Sequence, residues 1–265
     1  MAKVKVGIIG CGAIGSALAK MIDRRFSRQA RLCYLCDRDS RKASAFRKKL
    51  KSRPEVLEWR RLIKKSDLVI EAASASVSGT IAQTALRTGK NVLIMSVGGL
   101  LGKTMKAGKG KLWIPSGAIA GLDGLLAAKE AGLKSVRLVT RKPPKGLIGA
   151  PYFKKKKFPK LAGGKEYCLF KGKASEAVRS FPQNINVAAL LSLAGLGPEK
   201  TRVEIWTSNA YRANQHEVTV VSAAGEIRAV TKNVPFPENP KTSALAAFSA
   251  AALLRKIFAS VRAGT

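Results

Sequence analysis

Residues 4–22 admit few folds. Val4, Val6, Ile8 and Ile9 make a short apolar run that reads as a buried strand, and it flows straight into Gly10-Cys11-Gly12-Ala13-Ile14-Gly15. Directly after come Ala17, Leu18, Met21 and Ile22 at helical spacing. Strand, glycine turn and helix together are the setting in which G-x-G-x-x-G binds a dinucleotide. Gly10 permits the tight turn, Gly12 leaves no side chain between the backbone and a pyrophosphate, and Gly15 lets helix and strand pack closely. The amides around Gly12, Ala13, Ile14 and Gly15 then meet the phosphates at the helix N-terminus. A second apolar run, residues 32–35, leads to Asp37, where a carboxylate would accept from the ribose hydroxyls. Arg38 follows and could accept a 2′-phosphate. NAD is therefore the expected cofactor, with NADP also usable.

The same alternation repeats downstream. A basic helical stretch at 39–51 follows Asp37. Residues 66–73 read as a buried strand, and Val77, Ile81, Ala85 and Leu86 mark a helix over 76–88. Residues 91–95 and 111–114 read as two more strands. Alternating strands and helices predict an α/β fold: a doubly wound parallel Rossmann sheet with helices on both faces. The turns at 72–76 and 96–99 then fall at strand C-termini, where such sheets bind ligands.

From about Gly121 the texture changes. A helix near 122–131 leads to an alternating strand at 135–140. The Pro- and Lys-rich stretch 143–160 reads as a mobile loop, followed by helices at 173–180 and 185–194. Strands come next near 201–207, 216–221 and 226–231, then a last helix over 242–261 with a broad apolar face. Runs of strands after an alternating half suggest a second, α+β domain.

Charge is the anomaly. Forty-nine Lys and Arg against sixteen Asp and Glu leave +33, far beyond the roughly 2 to 8 of an ordinary small domain. Such a field should attract polyanions without specificity. The basic residues are spread over most surface segments and form no single stripe with interleaved aromatics. Cys33 and Cys36 form a C-x-x-C, but residues three apart on a strand point to opposite faces. With Cys11 in the glycine turn and Cys168 in an apolar run, all four cysteines read as packing residues, and no metal site is expected. No apolar stretch approaches the ~20 residues of a membrane span. The strand beginning just after Met1-Ala2-Lys3 leaves no room for a signal peptide. A cytoplasmic protein with no membrane partner is the expectation.

The second half carries a sharper pattern. Pro115-Ser116-Gly117-Ala118-Ile119-Ala120-Gly121-Leu122-Asp123, Thr140-Arg141-Lys142-Pro143-Pro144, Phe181-Pro182-Gln183-Asn184-Ile185-Asn186, Asn214-Gln215-His216-Glu217 and Asn239-Pro240-Lys241-Thr242-Ser243 occur in this order. Together they closely resemble the L-aspartate dehydrogenase family, over essentially the whole chain. The continuation 145–152 is similar to its bacterial branch. The resemblance implies NAD(P)-dependent oxidative deamination of L-aspartate to iminosuccinate, which hydrolyses to oxaloacetate and ammonia, with a possible link to NAD biosynthesis. It implies a Rossmann domain of residues 1–121 completed by 239–265, and an α+β substrate and dimerisation domain of 122–238. A homodimer follows from it, with the apolar face of the late strands covered by the mate.

His216 is the only histidine, and imidazole titrates near neutrality when unperturbed. Alone, a histidine near a strand start reads as structural; the match to Asn-x-His-Glu makes it the general acid/base. Glu217, its neighbour on an extended segment, should point the other way. The same matching implies that Ala120 and Asn186 contact the nicotinamide end of NAD. Lys241 and Thr242, placed at the start of the last helix, are weaker candidates for substrate binding, and Arg141 and Lys142 share that ambiguity. Two other readings stay open. One is another small Rossmann reductase of the dihydrodipicolinate reductase type; the other is a basic nucleic-acid-binding protein on a Rossmann scaffold.

Overall fold

Apolar runs without polar alternation, such as residues 6–9 and 68–70, are at home only in a sheet covered on both faces. The computed structural model describes residues 2–106, 108–154, 156–182, 186–236, 239–261 and 264, with 239–241 described by their backbone alone. Two units separate by their internal contacts: Met1–Pro115 with Ala247–Arg262, and Ser116–Ala246 with Ala263–Thr265.

In the first unit, β1 (Val4–Ile9), β2 (Ala30–Cys36), β3 (Glu55–Val56), β4 (Leu68–Glu71), β5 (Asn91–Ile94) and β6 (Leu112–Trp113) form one parallel sheet ordered β3-β2-β1-β4-β5-β6. This order reverses beside β1, the switch point where Rossmann sheets bind dinucleotides. Ile8 pairs with Leu35 on one side and Ile70 on the other, and all three are fully buried. The helices are α1 (Ala13–Arg24), α2 (Ser40–Arg47), α3 (Trp59–Lys65) and α4 (Ala75–Arg87). A C-terminal helix of the chain, Ala244–Phe258, buries Ala247, Ala250 and Leu254 and sets the Phe258 ring edge-on to Phe26 at 5.9 Å.

Neither β3 nor α3 stands out in the sequence, because the Arg60, Arg61, Lys64 and Lys65 charges mask its pattern. Leu62 and Ile63 are nonetheless fully buried, and Glu58 caps the helix by accepting from the Arg60 and Arg61 amides.

The second unit holds α5 (Leu122–Glu130), β7 (Leu133–Lys142), β8 (Tyr167–Lys173), α6 (Ala174–Ser180), α7 (Asn186–Ala194), β9 (Arg202–Thr207), β10 (Asn214–Ser222) and β11 (Gly225–Asn233). Here the late strands do not form a sheet of their own. β7 inserts between β10 and β9, giving a mixed sheet ordered β11-β10-β7-β9-β8. One face is covered by helices: a Cβ on Gly124 of α5 would meet Ile227, and one on Gly195, just past α7, would meet Val136.

The other face corrects the expectation of an apolar surface. Glu217 pairs with Arg141 at 3.0 Å and Arg228 at 2.7 Å, while Glu204 pairs with Arg137 at 3.0 Å and takes a hydrogen bond from Trp206 Nε1. Val139 is buried among these, and Val230 is 48% exposed. A chain with sixteen acids thus spends two of them on cross-strand pairs of this face, where opposite charges support the ladder.

Two more expectations change. The unit boundary falls at Pro115 and at Ala246, not at 121 and 239, because both flanks are bonded into the second unit. The Ala118 carbonyl accepts from Thr231 Oγ1 and Asn233 Nδ2, and β13 (Asn239–Ser243) pairs with β12 (Pro235–Phe236). The described residues of the stretch 143–160 are also built rather than loose. They make two short 3₁₀ turns, Pro144–Gly146 and Pro151–Lys154. Tyr152 and Phe153 stack with Phe158, Phe170 and the fully buried Phe181, ring centroids 4.9–6.0 Å apart. Aromatic clusters of this kind anchor a segment whose composition alone reads as mobile.

Candidate active site

At the end of β1 the chain turns through Gly10, whose φ of +104° suits glycine alone. A Cβ on Gly15 would collide with the Gly10 carbonyl oxygen, whereas a Cβ on Gly12 would meet nothing within 4 Å. Two glycines are thus required by packing and the third faces open space, as a pyrophosphate site demands. No side chain caps α1 and no acid sits in its first turn, so the amides following Gly12, through Ala13 and Ile14, keep their positive end unopposed.

Asp37 stands just past β2, beside this turn. Its Oδ2 accepts from the Cys11 amide at 2.7 Å and its Oδ1 from the Asp39 amide at 3.0 Å. The carboxylate is held in place by the backbone on both sides and retains lone pairs for a diol. Burial and the Asp37 charge push the Cys11 thiol up to about 12, so this cysteine is inert packing. Beside Asp37 opens a cavity of about 650 Å³ at the C-terminal ends of β1, β2 and β4, walled by Ile9, Val56, Trp59, Val77 and Ile81, with Arg38 at its edge. That volume and apolar wall suit a planar base. The residues fit a nicotinamide dinucleotide.

Glu71, an acid within an apolar strand, had no role in the sequence. It is completely buried at the end of β4, where Oε1 accepts from the Ala73 amide at 2.8 Å and Oε2 from the Ser96 amide at 3.0 Å. Burial raises its pKa against those amide bonds. One side chain thereby ties together the two turns at the C-terminal edge of the sheet. Its signal was available: a carboxylate closing a run of buried apolar residues must find donors.

In the second unit His216 lies on the helix-covered face of β10, 2% exposed. It stands opposite Thr140 of β7 in register, and Thr140 Oγ1 lies 3.0 Å from His216 Nδ1. Burial, with the charge of Lys142 added, pulls the imidazole down to about 3, so the ring is neutral across the physiological range. Lys142 projects from the same face as Thr140, two residues along β7, and is itself buried. Glu217 is on the opposite face with Arg141 and Arg228.

Ala120 is exposed just after the buried Ala118 and Ile119, and Asn186 is exposed at the first residue of α7. Asn184 lies outside the described residues, as does the side chain of Lys241. Thr242 is half-buried in β13 and not in the last helix, which begins at Ala244. The strand wins because 239–243 pairs with 235–236. Among the described residues no group of three His, Cys, Asp or Glu side chains could hold a metal, and no helix is long and apolar enough to cross a membrane.

A Rossmann sheet with an intact dinucleotide turn, together with a buried neutral histidine on a separate mixed sheet, defines a nicotinamide-dependent dehydrogenase. Residues 10–107 match the family model for the homoserine dehydrogenase NAD-binding domain, and residues 123–257 match that for the aspartate dehydrogenase C-terminal domain. The chain is 43% identical to an L-aspartate dehydrogenase of Methanosarcina mazei, over 99% of this chain and 100% of that protein. It is 39% identical to L-aspartate dehydrogenase 3 of Bordetella bronchiseptica, over 98% and 97% respectively. The crystal structure of an aspartate dehydrogenase from Thermotoga maritima superimposes with a TM-score of 0.77 at 28% identity, covering 99% of this chain and 100% of that one. This chain belongs to the L-aspartate dehydrogenase family.

Proposed function

We propose that the chain oxidises L-aspartate with NAD, taking the amine to iminosuccinate, which water converts to oxaloacetate and ammonia. What carries this reading is His216, neutral, buried and fixed by Thr140, in a family member whose dinucleotide turn is intact. NAD supplies a hydride acceptor, and every other task falls to the protein. Gly10, Gly12, Ala13, Ile14 and Gly15 take the pyrophosphate, and Asp37 takes the ribose diol. Ala120 and Asn186 are assigned to the nicotinamide end, with Lys241 and Thr242 as weaker substrate contacts.

In the tautomer this chemistry requires, Nδ1–H donates to Thr140 Oγ1 and Nε2 of His216 carries the lone pair. It accepts a proton from the substrate ammonium, so that the amine lone pair can assist hydride departure from Cα. Once that proton has passed to solvent, the same nitrogen takes a proton from the water that attacks the imine and returns it to the amine as ammonia leaves. Purified protein should form NADH with L-aspartate and far less with other amino acids; faster oxidation of another amino acid would reassign the substrate.

The cytoplasm is the site we assign, and supply of the imine to NAD synthesis is compatible with this chemistry. NADP is a second cofactor through Arg38. The +33 charge supports weak, salt-sensitive polyanion binding without sequence preference. We further propose a homodimer built on the charged face of the mixed sheet. Sedimentation at moderate salt should give twice the 28.3 kDa of one chain. A monomer at every salt and protein concentration would remove the dimer.

A further inference from the structure

β4 neighbours β1 across the switch point, and it closes on an acid. Glu71 stands between Ile9 of β1 and Ile94 of β5 in register and has no exposed surface. A carboxylate persists in such a place only where donors meet it, and Glu71 finds them on two turns. Oε1 accepts from the Ala73 amide at 2.8 Å and Oε2 from the Ser96 amide at 3.0 Å. Burial raises its pKa, and the Ser96 amide and hydroxyl, with the Ala73 and Ser74 amides, oppose the rise.

Each turn so held is fitted to another part of the cofactor edge. The turn after β4 lies against the dinucleotide turn. A Cβ on Gly10 would come within 2.5 Å of the Ala72 carbonyl oxygen and 2.7 Å of the Ala73 nitrogen. Ala73 also walls the cavity beside Asp37. The turn after β5 sits on the start of α4. A Cβ on Gly99 would collide with the Ala75 carbonyl oxygen, and one on Gly79 would stand 2.5 Å from the Gly99 carbonyl oxygen. Ser78 Oγ donates to the Ser96 carbonyl at 2.7 Å and closes this contact. The glycine turn, the two strand-end turns and the first turn of α4 thus form one packed edge.

A buried charge adds little net stability once its desolvation is counted. What its two fixed acceptors supply is geometry, because an apolar side chain would leave both amides free to turn. We infer that Glu71 is a positioning residue for the cofactor: its carboxylate holds the turns after β4 and β5 in the receiving arrangement before the dinucleotide arrives. This rests on the NAD site assigned above. A site ordered in advance spends less of its binding energy on ordering.

Calorimetry with NAD alone, on the full chain and well below the unfolding temperature, tests this directly. Glu71→Gln keeps one acceptor and turns an NH₂ toward the other amide. If its turns hold the receiving arrangement about a tenth of the time, NAD weakens about tenfold, within a range of about 5- to 30-fold. KM for NAD should rise by the same factor, while kcat at saturating NAD falls less than about threefold, because bound cofactor draws the turns back. Glu71→Asp keeps the charge but reaches only one turn, so its NAD affinity should lie between the two.

Hydrogen exchange of the parent protein reads the same claim without a variant. The amides of residues 73 and 96 should exchange slowly before NAD is added and change little on its addition. Fast exchange that NAD alone slows would show that the cofactor orders these turns, and would overturn the role of Glu71. A folded Glu71→Gln with a lower unfolding temperature but parental NAD affinity would overturn it too, since stability alone would then be at stake. Weakened NAD binding in a variant whose parent does not oxidise aspartate would sink the proposed reaction alone. Aspartate oxidation with parental NAD affinity in Glu71→Gln would sink Glu71 alone.

Discussion

Replacing His216 by Ala is expected to lower kcat for aspartate oxidation by about 10²- to 10⁴-fold, the usual worth of a placed acid/base. NAD affinity should hold, because the dinucleotide turn and Asp37 belong to the other unit. Thr140 Oγ1 would lose its partner at 3.0 Å, and an unpaired buried hydroxyl costs about 1–3 kcal/mol of stability. The rate should therefore be read at a temperature where circular dichroism shows the variant folded. His216→Asn, which keeps a polar partner for Thr140, separates the two effects: stability should largely return while the rate stays low. Oxidation at the parental rate in either folded variant would show that the proton goes elsewhere.

Asp37→Ser should turn cofactor preference toward NADP. Removing the carboxylate costs NAD a charge-assisted pair to the ribose diol, about 1.5–3 kcal/mol or roughly 10- to 150-fold in affinity. NADP escapes that loss, because a negative charge beside its 2′-phosphate disappears while Arg38 remains at the cavity edge. Part of the effect is shared by both cofactors. Asp37 also holds the Cys11 and Asp39 amides, and serine reaches at most one of them, so the loop itself loosens. For this reason the ratio of the two KM values is the proper readout. An unmoved ratio would place Asp37 outside the cofactor site.

Much of the first unit was legible because its signals are local. Gly10, Gly12 and Gly15 act within one turn, and residues 6–9 and 68–70 declare burial on both faces by composition. Asp37 follows from the length of one βα unit. The order β3-β2-β1-β4-β5-β6 adds to this only the position of β3, whose two residues are too few to show a period. His216 was found through the motif around it; nothing in its flanking residues says that it would be neutral and bonded to Thr140.

The rest was decided by tertiary structure, since it depends on pairs far apart in the chain. The late strands pattern as a sheet of their own, yet β7 lies between β10 and β9, and no local period records which strand is whose neighbour. That insertion sets Thr140 against His216, 76 residues apart in sequence. It also adds Arg141 to the Arg228 that neighbouring β11 offers Glu217, and gives the far face its charge, where alternation alone suggested apolar residues. Arg141 and Lys142 were equivalent as adjacent cations, and the pleat of a strand with defined neighbours made one an ion-pair partner and the other a buried charge. Sequence determines periodicity and turn chemistry, which act over a few residues. The electrostatic state of a buried group depends on which distant groups share its face and on how much water they exclude, and only the assembled sheet settles both.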